Sequence, residues 1–273
     1  MGQPVPPLQH AAFAHGPLAW REAGEGPALL LLHGIGSGAA SWVGQFDAFA
    51  LTHRVIAWDA PGYGTSAALT RAQPRATDYA HALDALLDHL GVDEATVLGH
   101  SLGAIVAAAW CANAKRRARG LVLASPARGY AGASAAVRET KFSERVQMVE
   151  RLGVEGLARE RSAALCAPQA SAEVVAAVRE NMARITPHGY AQAAWMLSNE
   201  DLMAHLRDTP PPLAVLCGEH DRTTPPEACE RVARETGAPF VLLRGVAHAC
   251  YVEDAAQFNA AVAHALREPV PHG

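Results

Sequence analysis

Short apolar runs alternate, along most of this chain, with longer segments whose apolar residues recur at the spacing of a helix. The run at 28–32, Ala-Leu-Leu-Leu-Leu, is apolar throughout, as expected for a strand that is covered on both faces. In 79–90 the apolar residues fall on one helical face, and Gly91 follows as a predicted C-terminal stop. This alternation predicts an α/β fold with a mostly parallel, doubly wound sheet. About eight strands are predicted, at 11–14, 18–23, 28–32, 55–58, 95–98, 121–124, 213–217 and 240–243.

The segment 130–209 breaks the alternation. No run within it resembles a strand, and its apolar residues recur at helical spacing, as in Val174 and Val178. We therefore predict a helical cap, inserted into a core that consists of residues 1–129 and 210–273. A simpler alternative stays open, in which these helices merely cover the sheet.

Composition excludes several classes of function. The chain has 273 residues, of which half are apolar and 18% are charged, with a net charge of -4, as in a globular domain. It has no basic stripe and no apolar run of about 18 residues, so we expect neither a nucleic-acid nor a membrane partner. Five cysteines without a CxxC spacing favour free thiols over a zinc site or disulfides. We expect a cytoplasmic protein without cofactor or metal, and nothing indicates its oligomeric state.

The sequence Gly99-His100-Ser101-Leu102-Gly103 lies between a predicted strand and a predicted helix. In that context GxSxG is typical of a sharp turn that exposes a nucleophilic serine and holds it at a helix N-terminus. Glycines are required because side chains two positions on either side would collide within the turn. The alternative is that Ser101 only caps the helix. His100 is expected to be a packing residue, because neighbouring residues on such a turn point apart.

A serine hydroxyl needs a general base, and imidazole is the side chain that exchanges protons near neutral pH. His248 follows the last predicted strand, at the carboxyl edge where open α/β sheets place their sites. Asp221, which directly follows another strand, is the predicted carboxylate that orients the imidazole, with Glu219 and Asp254 as competitors. The order Ser101, Asp221, His248 is the one expected for a serine nucleophile on a strand-turn-helix elbow.

Two backbone N–H groups are needed to stabilise the oxyanion of acyl transfer. Leu102, directly after the serine, is predicted to supply one. The second is assigned to Ile35, with Gly36 as the alternative, in the loop 33–38 that reads His-Gly-Ile-Gly-Ser-Gly. This loop has neither a GxGxxG nor a GxxxxGK[ST] pattern, which disfavours a nucleotide site.

Side chains near these loops are candidates for the substrate pocket. The predicted lining residues are Gly34, Gly36, Trp42, His100 and Trp195. For Trp195 the alternative is a place in the core of the cap. Four arginines are available to bind a carboxylate, although each is also compatible with a solvated helix face: Arg128, Arg138, Arg145 and Arg184.

The ordered set of motifs resembles the α/β-hydrolase superfamily over nearly the whole chain. The matching motifs are His33-Gly34, Asp59-x-Pro61-Gly62-Tyr63-Gly64-x-Ser66, the Ser101 turn, Gly218-x-x-Asp221 and the His248 loop. The resemblance implies an α/β-hydrolase fold and a Ser-His-Asp triad, with Asp59 in a structural role. The segments 186–194, 221–227 and 248–259 resemble those of 3-oxoadipate enol-lactonases. Those enzymes tend to have Gly-Leu-Ser-Met-Gly and Asn-Ser-Leu-Gly, where this chain has Gly-His-Ser-Leu-Gly and His-Gly-Ile-Gly.

The resemblance implies a serine esterase or lactonase that acts on a small-molecule carboxylic ester or enol-lactone. Hydrolysis of a carbon–carbon bond in a ring-cleavage product is the alternative enzymatic function, because the same set of residues serves that chemistry. A non-catalytic ligand receptor on the same fold is a third hypothesis, disfavoured by the presence of all three triad residues.

Overall fold

The computed structural model describes residues 5–267 and contains one eight-stranded sheet. Residues 1–4 and 268–273, which belong to the predicted core, lie outside the described part of the chain. The strands are β1 Gln9–Phe13, β2 Gly16–Ala23, β3 Ala28–Leu32, β4 Arg54–Asp59, β5 Ala95–His100, β6 Ala118–Ala124, β7 Ala214–Gly218 and β8 Phe240–Leu243. Their order across the sheet is β1-β2-β4-β3-β5-β6-β7-β8.

The sheet is mostly parallel, which confirms the predicted fold class. Only the pairings β1–β2 and β2–β4 are antiparallel, and all other neighbours run in the same direction. The strand β6 begins three residues earlier than predicted, because Ala118 pairs with Ala95 across an irregularity in the register. The charged residue Arg119, next to Ala118, hides this start from an apolar pattern.

Helices connect the strands and cover both faces of the sheet. They are α1 Val43–Phe49, α2 Ala76–His89, α3 Leu102–Asn113, α4 Ala135–Arg161, α5 Ala172–Met182, α6 Pro187–Asn199, α7 Leu202–Leu206, α8 Pro226–Thr236, α9 Cys250–Glu253 and α10 Ala255–Arg267. Short 3₁₀ helices occupy Ala39–Trp42 and Ala163–Leu165. As predicted, Gly91 follows α2 with a left-handed φ of 63°. Within residues 5–267 no helix is both long and apolar enough to cross a membrane.

Two apolar layers enclose the sheet, one on each face. Helices α2, α3 and α8 contribute to the first layer, in which Tyr79 and Trp110 are almost completely buried. Helices α1 and α10 contribute to the second layer, which contains Trp42 and Phe258. Burial on both faces explains why strand β3 is apolar at every position.

The residues between β6 and β7 form helices α4 to α7, and no strand lies among them in the described chain. We call 130–209 the helical segment. Helix α4 is broken at Gly153, whose φ of 66° lies in the left-handed region. Helix α6 begins against a turn of the core so closely that a Cβ on Gly189 would lie 2.0 Å from the carbonyl oxygen of Gly62. The division into core and cap remains a prediction.

Candidate active site

The turn at Ser101 joins β5 directly to α3. Ser101 has φ 53°, one of two positive φ values among the described non-glycine residues, so the backbone is strained here as expected. A Cβ on Gly99 would lie 2.5 Å from the carbonyl oxygen of Gly103. A Cβ on Gly103 would lie 2.3 Å from that of Leu32. Both glycines are therefore required by close backbone packing.

Hydrogen bonds join Ser101, His248 and Asp221 at the carboxyl edge of the sheet. The Ser101 Oγ–H can donate to Nε2 of His248 at 3.0 Å, and Nδ1 of His248 lies 2.8 Å from Oδ2 of Asp221. All three residues are buried, with exposed fractions of 3–6%. The carboxylate accepts from Nδ1–H, which leaves Nε2 unprotonated and able to take the serine proton.

Asp221 remains charged because several donors surround it. The backbone N–H groups of Thr223 and Thr224 donate to Oδ1 at 2.8 and 2.9 Å, and the Thr224 hydroxyl donates to Oδ2 at 2.9 Å. Burial raises the pKa of this carboxyl, but the neighbouring His248, with its hydrogen bond, and the backbone hydrogen bond from Thr224 outweigh burial and lower the pKa from 3.8 to about 2. Thr224 was not among the sequence predictions, although an aspartate with threonines two and three positions later is a signal for such a turn.

The competing carboxylates have other partners. Glu219 accepts hydrogen bonds from the guanidinium of Arg244 at 2.7 Å and from the backbone of Gly245 at 2.9 Å. Asp254 accepts from the backbone N–H of Gln257 at 2.9 Å, at the start of α10. Neither carboxylate has a hydrogen bond to the histidine of the site.

The loop that carries the histidine is fastened to the helical segment. Ala249 donates its N–H to the carbonyl of Leu165 at 2.9 Å. The carboxylate of Glu253 accepts from the N–H of Ala247 at 2.9 Å and from that of Ala167 at 2.7 Å, and burial raises the pKa of this carboxyl. The histidine is thus positioned from two sides, by the sheet edge and by the helical segment.

The glycine-rich loop after β3 lies against the serine, since a Cβ on Gly34 would be 3.5 Å from Ser101 Oγ. His33 donates Nδ1–H to the Gly34 carbonyl at 2.8 Å, and Tyr63 donates its hydroxyl to the Ile35 carbonyl at 2.9 Å. Burial lowers the pKa of His33, consistent with a neutral ring whose Nε2 accepts a backbone N–H at 3.0 Å. These bonds hold the two carbonyls, while the N–H of Ile35 makes no hydrogen bond within residues 5–267.

The N–H of Leu102 occupies the first position of α3, where helical N–H groups have no intrahelical acceptor. It also makes no hydrogen bond in the described chain. Neither predicted oxyanion donor thus has a hydrogen-bond acceptor within residues 5–267: Leu102 lies at the start of α3, and Ile35 lies in the loop after β3.

His100 connects the serine turn to the histidine loop. Its Nε2–H donates to the backbone carbonyl of His248 at 2.8 Å, and its ring lies 4.8 Å from that of Tyr251. Burial and the neighbouring His248 lower the pKa of His100 to about 3, so the ring is neutral. His100 therefore packs, as expected, and its hydrogen bond also holds the backbone of His248.

A cavity of about 490 Å³ opens above Ser101. Three of the predicted pocket residues line it, Gly34, Gly36 and His100. Side chains of the helical segment form much of its wall, and the apolar ones include Met148, Leu157, Val178, Met182, Tyr190 and Leu197. Its size and largely apolar lining are typical of a small-molecule site.

Trp42 and Trp195, in contrast to the prediction, do not line this cavity. Trp42 is completely buried and stacks on Tyr251 at a centroid distance of 4.2 Å, so Tyr251 forms the wall in its place. Trp195 packs edge-on against Phe142 at 5.4 Å on the side of α6 that faces α4. The side of the helix on which each tryptophan ring lies depends on how the helices pack. Closeness in sequence to a site loop does not show this.

Among residues 5–267, no group of three or more His, Cys, Asp or Glu side chains is arranged to hold a metal ion. The five cysteines are buried and free in the described chain.

Comparison with known proteins identifies the family of this chain. A family model described as the alpha/beta hydrolase family matches residues 29–261. The putative carbamate hydrolase RutD of Azorhizobium caulinodans is 32% identical over 180 residues, which are 64% of this chain and 66% of that protein. The chain therefore spans slightly less than two thirds of that relative.

Two further similarities extend over most of the chain. The 3-oxoadipate enol-lactonase 2 of Acinetobacter baylyi is 26% identical over 246 residues, 86% of this chain and 87% of the lactonase. A thermophilic esterase from Thermogutta terrifontis superposes with a TM-score of 0.84 and 26% identity, covering 95% of this chain and 98% of the esterase. The resemblance inferred from the motifs is confirmed, and the chain belongs to the alpha/beta hydrolase family.

Proposed function

We propose that this hydrolase cleaves a small carboxylic ester or lactone through an acyl-enzyme on Ser101. The observation that carries the proposal is the chain of hydrogen bonds from Ser101 Oγ to His248 Nε2 at 3.0 Å and from His248 Nδ1 to Asp221 at 2.8 Å. This arrangement is the one that activates a serine hydroxyl as a nucleophile.

In the first half-reaction, Ser101 Oγ attacks the substrate carbonyl carbon while His248 Nε2 takes the hydroxyl proton. The negative charge that develops on the carbonyl oxygen is stabilised by the free N–H groups of Leu102 and Ile35. Collapse of this intermediate breaks the bond to the leaving oxygen, which receives the proton from His248. For a lactone, the leaving oxygen remains attached to the acyl group.

In the second half-reaction, a water molecule attacks the acyl carbon and transfers a proton to His248. The serine oxygen then leaves and regains that proton, and the free acid is released. Asp221 stays ionised throughout and stabilises the imidazolium that forms twice in the cycle.

We also propose that the helical segment is a cap whose side chains shape the substrate pocket. Its residues contribute much of the cavity wall, and it holds the histidine loop through Leu165 and Ala167. A small-molecule substrate is the partner that suits a cavity of about 490 Å³.

The test is Ser101→Ala, assayed with p-nitrophenyl esters and lactones, together with covalent labelling by a fluorophosphonate. We expect hydrolysis to fall by about 10⁴-fold or more and labelling to disappear. Ser143→Ala is a matched control, because Ser143 bonds to Glu139 at 2.9 Å and does not line the cavity.

Wild-type hydrolysis by Ser101→Ala would contradict the mechanism. Failure of folded wild-type protein to turn over any ester or lactone would contradict the substrate class. Loss of the visible absorbance of a dienone acid in the same panel would instead favour carbon–carbon bond hydrolysis.

A further inference from the structure

The cavity above Ser101 holds an excess of positive charge. Within residues 5–267, the charged side chains that line it, apart from His248, are Arg128, Lys141, Glu144, Arg145 and Arg161. Arg128 is paired with Glu235 at 3.2 Å. Lys141 is paired with Glu144, also at 3.2 Å. Two guanidinium groups are left uncompensated, in a protein whose net charge is -4.

The two remaining arginines, Arg145 and Arg161, lie on α4 on opposite sides of the break at Gly153. Arg145 donates one N–H to the carbonyl of Lys141 at 2.6 Å, and its guanidinium lies 5.6 Å from the centre of the Tyr130 ring. These contacts orient the group but supply no negative charge. In the described chain, no carboxylate pairs with either arginine, and Arg161 makes no hydrogen bond.

Both positive charges influence Tyr190, a residue of the cavity wall. Tyr190, which lines the cavity, has a hydroxyl whose pKa is raised by burial and lowered by the charges of Arg145 and Arg161. Two arginines that are 16 positions apart in sequence, on either side of the break at Gly153, thus both line the cavity.

We propose that Arg145 and Arg161 form an anion subsite that binds a free carboxylate of the substrate. This inference rests on the proposed function and names the class of substrate: a small ester or lactone that carries a second, ionised carboxyl group, such as a half-ester of a dicarboxylic acid. Guanidinium groups suit this task because their planar donors match a carboxylate and stay charged at all relevant pH values. Arg145 is half-buried beside the apolar lining, which strengthens the attraction there, whereas Arg161 is exposed and water screens part of its charge.

The experiment compares two esters of equal chain length, mono-p-nitrophenyl adipate and p-nitrophenyl hexanoate. Only the first carries a free carboxylate. We expect the wild-type enzyme to prefer the anionic ester in kcat/KM by about tenfold or more, and high salt to reduce this preference. In the double variant Arg145→Gln, Arg161→Gln, kcat/KM should fall about tenfold to hundredfold for the anionic ester, mainly through KM.

The neutral ester should be affected no more than about twofold in this double variant, since it makes no charged contact there. Arg145→Lys, Arg161→Lys should retain part of the preference, because the charge remains while the planar donors are lost. Arg159→Gln is the matched control, since Arg159 is exposed on the same helix and does not line the cavity.

Equal loss on both esters, or no preference in the wild type, would overturn the anion subsite. Binding of adipate to Ser101→Ala, measured by calorimetry, tests the subsite without turnover and should disappear when both arginines are replaced. If Ser101→Ala instead retains full hydrolysis of both esters, the proposed mechanism is wrong. The calorimetric measurement of adipate binding would still show whether the anion subsite exists.

Discussion

The sheet edge and the helical segment build the same cavity in opposite ways. At the sheet edge, Ser101, His248 and Asp221 are joined by hydrogen bonds of 2.8 to 3.0 Å. On the opposite wall, Arg145 and Arg161 have no carboxylate partner in the described chain. This contrast suits the two proposed roles, because groups that perform chemistry must be positioned before the substrate arrives, whereas groups that select a substrate must keep their binding capacity free.

The largest effect that tests this comparison is expected at the sheet edge, for Asp221→Asn. The amide cannot stabilise the imidazolium and favours the wrong tautomer of His248, so kcat should fall by about 10⁴-fold. Steady-state kinetics on a neutral p-nitrophenyl ester measures the loss. Asp254→Asn is the control and should retain wild-type activity, because asparagine also caps a helix. Equal losses in the two variants would contradict the role of Asp221.

The tight backbone packing at the sheet edge makes a second prediction, this time on stability. Gly103→Ala would place a Cβ 2.3 Å from the Leu32 carbonyl oxygen, so we expect the free energy of unfolding to fall by about 3 kcal/mol. Gly132→Ala, beside the helical segment's first helix, has nothing within 4 Å of the new Cβ and should change stability by about 0.5 kcal/mol or less. Urea unfolding distinguishes the two, and similar values would remove the contrast between the regions.

Helix α6 ends at a buried carboxylate that joins the two regions. Glu200 is 3% exposed and accepts hydrogen bonds from Arg75 at 2.5 Å, from the N–H of Ala76 at 3.0 Å and from His205 at 3.0 Å. Burial raises the pKa of Glu200, but the bonds from His205 and Arg75 outweigh burial and lower the pKa from 4.5 to about 2. Glu200→Gln should therefore lower the free energy of unfolding by about 2 kcal/mol at neutral pH.

The pH dependence of this effect follows from the direction of the shift. Because the folded-state pKa of Glu200 lies below the unfolded-state value, its contribution is complete above about pH 4.5 and is lost as the pH falls toward 2. The stability difference between wild type and Glu200→Gln should shrink over that interval. Glu94→Gln is the control, because its pair with Arg119 is exposed and should contribute about 0.5 kcal/mol or less. A difference that is independent of pH would contradict this account.

The smallest effect is expected for Trp195→Phe, which tests how far selectivity extends into the helical segment. Trp195 packs against Phe142 and does not line the cavity, so the ratio of kcat/KM for anionic and neutral esters should change by about twofold or less. A large change in this ratio would mean that residues packed behind the cavity wall influence substrate selectivity as much as the side chains that line the cavity.

Local patterns were sufficient for most of the fold. Apolar runs located the strands, because a strand buried on both faces has no polar position. They missed the start of β6, where Arg119 interrupts the run, and helix α1 was not predicted from its seven residues. The apolar spacing of 130–209 also predicted its helices. The break at Gly153 could not be predicted, because one glycine within a helical pattern is compatible with several conformations.

The sequence could predict that residues on the loops after the strands would lie together, because a parallel sheet places those loops at one edge. Ser101, Asp221 and His248 could therefore be named together from sequence, and the tertiary structure brings all three into hydrogen-bonding contact. The side chains of helices were not foreseeable in the same way. Trp42 and Trp195 point away from the cavity, whereas Tyr251 and Arg161, which were not predicted, line it.

By itself the amino-acid sequence determined the family, the order of the elements and the residues at the strand ends, because these depend on local patterns and on a topology that places strand ends together. Only the tertiary structure decided which side of each helix faces the cavity, and hence that two arginines on either side of the break at Gly153 both line it. Helix orientation is a property of packing between distant segments, and a small rotation about the helix axis moves a side chain from solvent into the site.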